Sequence, residues 1–220
     1  MPVEVAWFGF LNVYLVFGER VVVVDAGYPQ STGRVLEALE REAVRPADVS
    51  LILLTHGHLD HLGGARQLRE ALDAPIALHR LDVEIARTGK DRPLIPTDLA
   101  GRLFLPFMPR TIEPLEPDIV HDGELDLAQF GIAGRTIHTP GHTPGSISVV
   151  LEDATLGGDT VAGGFLRRHS PRLPYFADDR DALRQSQARL VKEARGTIHV
   201  GHRGPLTRAA IARRFGLQMP

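Results

Sequence analysis

The chain has 220 residues, enough for one ordinary domain with a substantial buried core. Its formal charge of −2, with 43% hydrophobic and 24% charged residues, gives no electrostatic pull toward nucleic acid or an anionic membrane. The absence of cysteine excludes disulfides, thiolate nucleophiles and cysteine-held metals, so any metal must be bound by nitrogen and oxygen.

Taken in chain order, residues 3–25 alternate β-branched and aromatic side chains around a Gly-Glu-Arg turn and predict a β-meander ending at Asp25. Ser31 or Thr32 then caps a helix reaching about Arg45, with Val35, Leu36, Leu39 and Ala43 at helical spacing. SLILLT predicts a buried strand, residues 62–72 a helix, PIALH a short strand and residues 81–87 another helix. In residues 90–118, Pro93, Pro96, Pro106, Pro109, Pro114 and Pro117 forbid long regular structure, yet LFLPFM inside the stretch is strongly apolar. This combination predicts an ordered lid or insertion.

Beyond it, DGELDL, GIAGRTIHT, SISVVLE and ATLGG read as short strands, residues 179–194 as a helix and TIHV as a last strand. The expected fold is a single α/β domain over residues 1–220, two mixed β-sheets packed as a sandwich and flanked by helices. No apolar stretch approaches the roughly 20 residues of a membrane span, and MPVEVAWFGF lacks the basic region of a signal peptide, so a cytoplasmic protein is expected.

The chemistry concentrates in HGHLDH, residues 56–61. His56 and His58 stand two apart, so in an extended segment leaving a strand their rings point to the same side and can share a metal. Asp60 and His61 fall in the first turn of the next helix, offset from the first pair and able to face a neighbouring ion. One lone histidine would be unremarkable surface or core chemistry; four such groups in six residues are not. Other strand ends offer closing ligands: His142 in TPGHTPGS, Asp159 in GGDT and His202 in VGHRGP.

In its motifs VVVVDAG, THGHLDHLGG, HTPGHTPGS, GGDT and GHRGPL, the sequence resembles the metallo-β-lactamase superfamily, in its short glyoxalase II-like and lactonase-like branch. The resemblance covers essentially the whole chain and implies the αββα four-layer sandwich. Carried over by position, it implies that His56, His58 and His142 bind one metal, that Asp60, His61 and His202 bind a second, and that Asp159 bridges them. Asp25 matches the acidic residue that orients a ligand histidine or the metal-bound water from outside. Zinc is the expected ion, and iron or manganese suits the same donors. Thr55, Thr139 and Thr143 stand beside the motifs but are left out of the expected site.

Two such ions lower the pKa of a shared water toward neutrality and polarise a carbonyl. The expected enzyme is therefore a binuclear zinc-dependent hydrolase, whose metal-bridging hydroxide attacks an ester, lactone or thioester while Asp60 steers the proton. The alternative is an iron-dependent oxidoreductase of the same fold, similar to the sulfur dioxygenases, which the complete second ligand set disfavours. Lactonase relatives carry a tyrosine soon after the bridging aspartate, whereas GGDTVAGGFLRRHS has none, leaving Tyr175, His169 or Tyr28 as candidates to assist the leaving group. Glutathione thioesters are not expected, because only RGPLTRAAIARRFGLQMP follows His202. The expected partner is a small-molecule substrate, with no nucleic acid and no membrane. LFLPFM is expected either to cover the site, selecting acyl or alkyl groups through Phe104 and Phe107, or to form a homodimer contact.

Overall fold

The computed structural model describes residues 11–219 and the backbone of Val3–Glu4. The first half runs β1 (Val3–Glu4), β2 (Tyr14–Phe17), β3 (Val21–Val24), α1 (Thr32–Arg41), β4 (Val49–Leu53), α2 (Leu59–Leu62), α3 (Ala65–Leu72), β5 (Ile76–His79), α4 (Val83–Thr88), α5 (Leu99–Phe104) and β6 (Ile119–His121). The second half continues with β7 (Gly134–His138), β8 (Ile147–Leu151), β9 (Ala154–Leu156), β10 (Ala162–Gly163), β11 (Pro171–Arg172), α6 (Arg180–Glu193), β12 (Thr197–His199) and α7 (Arg208–Phe215). The part of the expected meander at residues 5–10 lies outside the described residues.

Two sheets result, one in the order β1-β2-β3-β4-β5-β6 and one in the order β12-β9-β8-β7, with β10 and β11 forming a separate pair. Strands β3 to β6 are parallel, and β3 and most of β4 are buried on both faces, which explains why they read as unbroken apolar runs. Val22, Val24, Leu51 and Leu53 pack inward against Ile147, Val149 and Leu156 of the second sheet. The alternate residues Val23, Ile52, Ile76 and Leu78 pack outward against Val35, Leu39, Leu68 and Leu72 of α1 and α3. On the far side Leu190, Val191 and Ile211 of α6 and α7 close over Ile198. Helix, sheet, sheet and helix layers thus form the expected four-layer sandwich.

Four local expectations are corrected. Helix α1 stops at Arg41, because Ala43 takes a left-handed φ of 55°. The Val44 N–H then bonds the Leu39 carbonyl and the Ala43 N–H that of Glu40, a Schellman closure in which alanine occupies the usual glycine position. Ser31 precedes this helix, but its hydroxyl donates to the Tyr28 carbonyl and does not cap it. DGELDL is not a strand: Asp126 accepts the Ala128 N–H and starts a short 3-10 turn, while β6 forms just upstream.

The helix expected over 62–72 is divided at Gly63 and Gly64, for a reason that bears on the site. Added side chains there would strike the backbone of Leu59 and of Ala26. Their absence lets the turn after β3 lie against the turn after β4, joined by Ala26 N–H to His61 O (2.7 Å) and Gly64 N–H to Gly27 O (2.8 Å). Among the described residues no helix is long and apolar enough to cross a membrane.

Candidate metal centre

All eight residues singled out from the sequence lie just beyond the ends of β3, β4, β7, β9 and β12. The chain leaves β4 extended, His58 still at ψ 147°, and α2 begins at Leu59, which places Asp60 and His61 in its first turn. Three sets of ligand atoms lie within 4.8 Å of one another: His56, His58 and His142; His56, His61 and Asp159; Asp60, His61 and His202. Among the described residues these are the only such sets.

Hydrogen bonding decides which nitrogens are bare. His142 Nδ1 sits 2.8 Å from the Phe176 carbonyl oxygen, which can only accept, so Nδ1 carries the hydrogen and Nε2 presents its lone pair. That lone pair lies 3.1 Å from His56 Nε2 and 2.8 Å from His58 Nδ1. On the other side His61 Nδ1 donates to Asp25 Oδ2 at 2.9 Å, leaving Nε2 to face His202 Nε2 at 3.5 Å and Asp159 Oδ1 at 3.7 Å. Asp25 holds a left-handed φ of 65° and also takes the Thr55 N–H and hydroxyl on Oδ1, at 2.8 and 2.9 Å. It is thereby an outer partner that fixes the tautomer of His61.

Several features fit this donor set to cations. Ring nitrogens brought this close repel unless a hydrogen or a cation stands between them. Asp159 Oδ1 is buried with no hydrogen-bond partner among the described residues. Gly201 keeps the space open, because any side chain there would run into Asp159 Oδ1 and the His61 ring. His56, His58, His61, His142 and Asp159 are all buried.

The electrostatics divide the centre in two. Burial, reinforced by neighbouring histidines, holds His56 and His58 well below the usual imidazole value, and burial lowers His142, which keeps these rings neutral as metal ligands must be. Burial would also lower His61 and His202, but the aspartates outweigh it: Asp25, Asp60 and Asp159 bring His61 up to about 9, and Asp159 and Asp60 raise His202. Reciprocally, Asp60 and Asp159 are held well below the carboxylate range by His61 and His202 in spite of burial. The second half of the centre therefore favours positive charge strongly.

A cavity of about 300 Å³ opens onto this cluster, with His58, Asp60, His142, Asp159 and His202 on its floor. Its walls include Leu59, Phe104, Met108, Tyr175 and Phe176, and no lysine or arginine is among the described residues that line it. Phe104 faces inward from the Pro-rich segment, whereas Phe107 is 79% exposed and does not line the cavity. Of the three leaving-group candidates, Tyr28 and Tyr175 line it, and His169 does not, its Nδ1 donating to the Pro205 carbonyl. Burial, with Asp60 and Asp91, pushes the Tyr28 phenol above its ordinary value, so it stands in the wall as a protonated donor.

Two acidic residues have no motif to announce them. Asp91 lines the cavity with its carboxyl 3.9 Å from His58 Nε2, and burial, with Asp60, raises it to about 7. Asp82 is fully buried and accepts from the backbone of Gly57 and Gly145. Their only trace in the sequence is the pair of glycines that makes room for Asp82. Thr55 and Thr143, set aside above, contact Asp25 and Asp82.

Comparison with known proteins agrees with this architecture. The family model for the metallo-β-lactamase superfamily matches residues 6–202. A probable metallo-hydrolase of Methanocaldococcus jannaschii is 31% identical over 150 residues, 68% of this chain and 66% of that protein, just under two thirds of its length. A probable metallo-hydrolase of Bacillus subtilis is 29% identical over 203 residues, 84% of this chain and 76% of that one. Among solved structures, the B3 metallo-β-lactamase BLEG-1 superposes with a TM-score of 0.70 at 24% identity, covering 97% of both chains. A metallo-β-lactamase variant of Cronobacter sakazakii gives 0.68 at 23%, covering 98% of this chain and 89% of that one. At these identities the structural likeness speaks for the fold alone.

Proposed function

Because this chain belongs to the metallo-β-lactamase superfamily, we propose that it is a binuclear metal-dependent hydrolase acting on an ester, lactone or thioester of an apolar acyl group. The observation that carries the reading is the convergence of bare imidazole nitrogens and aspartates on the floor of an otherwise apolar cavity. His56, His58 and His142 would hold one ion, Asp60, His61 and His202 the other, and Asp159 would bridge them. Imidazole with carboxylate, and no thiolate, suits zinc. Metal ions bound there supply Lewis acidity and make hydroxide available near neutral pH.

The chain's own groups do the rest. The apolar walls take up an acyl or alkyl group and exclude water from the reacting carbonyl. With no basic side chain in the wall, a neutral substrate body is favoured over an anionic one. Asp60, on the cavity floor and 3.3 Å from His202, is placed to steer a proton. Tyr28 offers a phenolic O–H toward the same space, a donor for a developing negative charge.

Elemental analysis, combined with a panel of esters, lactones and thioesters assayed before and after chelation, tests the reading. About two zinc ions per chain and chelator-sensitive turnover, fastest on neutral apolar acyl groups, are the expected result. About one iron with no hydrolysis would replace it with the oxidoreductase. The cavity wall has its own test: Phe104→Ala should lower kcat/KM for long acyl chains by roughly 5- to 30-fold, from partial loss of apolar burial, while Phe107→Ala should leave the chain-length profile unchanged. Equal profiles for Phe104→Ala and the unmodified protein would remove the lid from substrate selection.

A further inference from the structure

Asp82 follows β5 at the start of α4, where an aspartate ordinarily serves as a helix cap. It makes no such bond. Its carboxyl group is fully buried and turned toward two other loops. Oδ2 accepts the Gly57 N–H at 2.8 Å and the Thr143 hydroxyl at 2.6 Å, and Oδ1 accepts the Gly145 N–H at 3.0 Å. Gly57 lies between His56 and His58; Thr143 follows His142, and Gly145 lies two residues further on.

We propose that Asp82 is a positioning residue that clasps the loop carrying His56 and His58 to the loop carrying His142, and so sets the metal affinity of that three-histidine site. The two loops leave strands of different sheets, β4 and β7. A backbone bond from Ile147 N–H to Thr55 O ties their bases at 2.9 Å, but it does not reach the ligand tips. At the tips the connection is Asp82. The glycines show how tightly it is drawn: a Cβ on Gly57 would lie 2.9 Å from Asp82 Cβ, and one on Gly145 would lie 2.6 Å from Asp82 Cγ. Arg92 approaches the same carboxyl group at 4.0 Å and donates to the Leu81 carbonyl, which anchors the start of the Pro-rich segment beside it.

Removing an acceptor here leaves the buried Gly57 and Gly145 N–H groups competing for one partner, and the separation of His58 Nδ1 from His142 Nε2, now 2.8 Å, loses its restraint. Partners of this kind typically govern metal affinity by about 10- to 100-fold.

The inference rests on the reading of His56, His58 and His142 as ligands, and its test therefore reads metal binding, not hydrolysis. Zinc affinity is measured by competition with a chromogenic chelator, and the cobalt-substituted protein by its visible absorption spectrum. Asp82→Asn, nearly isosteric, should stay folded, weaken one of the bound zinc ions by about 10- to 100-fold and alter the cobalt spectrum. Thr143→Val should weaken it less, and Thr143→Ser, which keeps the hydroxyl, should restore it. Folded Asp82→Asn with unchanged affinity and spectrum overturns the proposal. Should Asp82→Asn not fold, wild-type affinity in Thr143→Val overturns it instead. If the unmodified protein bound neither zinc nor cobalt, the ligand reading itself would fail and this one with it.

Discussion

Two groups of histidines stand at strand ends in this molecule, and they are built differently. His56, His58, His61, His142 and His202 turn their nitrogens toward common points and share three aspartates. His79, His121 and His138, at the ends of β5, β6 and β7, turn their ring faces and edges to one another. His79 stacks on His138 with centroids 4.4 Å apart and planes 11° from parallel, and meets His121 edge-on at 5.5 Å. Their nitrogens point apart: His138 Nε2 donates to the Pro144 carbonyl, His121 Nδ1 to that of Gly123, and His79 Nδ1 accepts the Leu81 N–H. The adjacent Asp122 faces Arg80. Histidine density at a strand end does not make a metal centre; bare nitrogens held by donated hydrogens, with carboxylates close by, do.

The sharpest way to break this contrast is to remove one histidine from each group. His142→Ala should empty the three-histidine site and cut hydrolysis at least about a thousandfold, beyond the about 10- to 100-fold of an outer-partner loss. His121→Gln should leave metal content and turnover unchanged. Elemental analysis of both variants decides it, and metal loss in His121→Gln would mean that the two groups form one system. Next in size is Asp25→Asn. Asparagine tolerates the left-handed backbone at that position but cannot hold the His61 tautomer as a carboxylate does. Metal at the Asp60, His61 and His202 site should weaken by about 10- to 100-fold, read by chelator competition, with the other site little changed. Equal weakening of both sites would show that Asp25 acts on the fold as a whole.

The contrast also marks what could be read from the sequence. HGHLDH and GGDT stand where the apolar strands β4 and β9 end, legible because almost every residue in them is buried, whereas GHTPGS follows the half-buried β7. Asp25 was legible for the same reason, as the residue that follows the four buried valines of VVVVDAG. Asp82 and Asp91 were not: each acts through loops far along the chain, and LDVEI and KDRPL hold no spacing that reports such contacts. DGELDL misled because Asp126 bonds its own backbone two residues on, which competes with a strand. In the Pro-rich segment, apolar content left a cover for the site and a homodimer contact equally open, and only the fold separates inward Phe104 from outward Phe107.

The smallest effect belongs to the second group, and its sign follows from burial. Burial, with His138 and His121 beside it, lowers His79 to about 4, and burial lowers His121 as well. In the unfolded chain an imidazole titrates near 6.5. Between those values the unfolded chain holds a proton that folded His79 does not, so stability declines as pH falls from about 6.5 toward 4 and His79 adds no further slope below that. His56, His58 and His142, lowered by burial as well, contribute a decline of the same sign, so the comparison must be a difference. Urea unfolding of metal-free wild-type protein and His79→Gln at pH 8, 7, 6 and 5 should show the wild type losing stability faster as pH falls, with the two curves nearly parallel between pH 8 and 7. Parallel curves throughout would mean that protonated His79 finds a partner in the fold. The Nε2 atom of His79, buried with no hydrogen-bond partner among the described residues, argues that it does not.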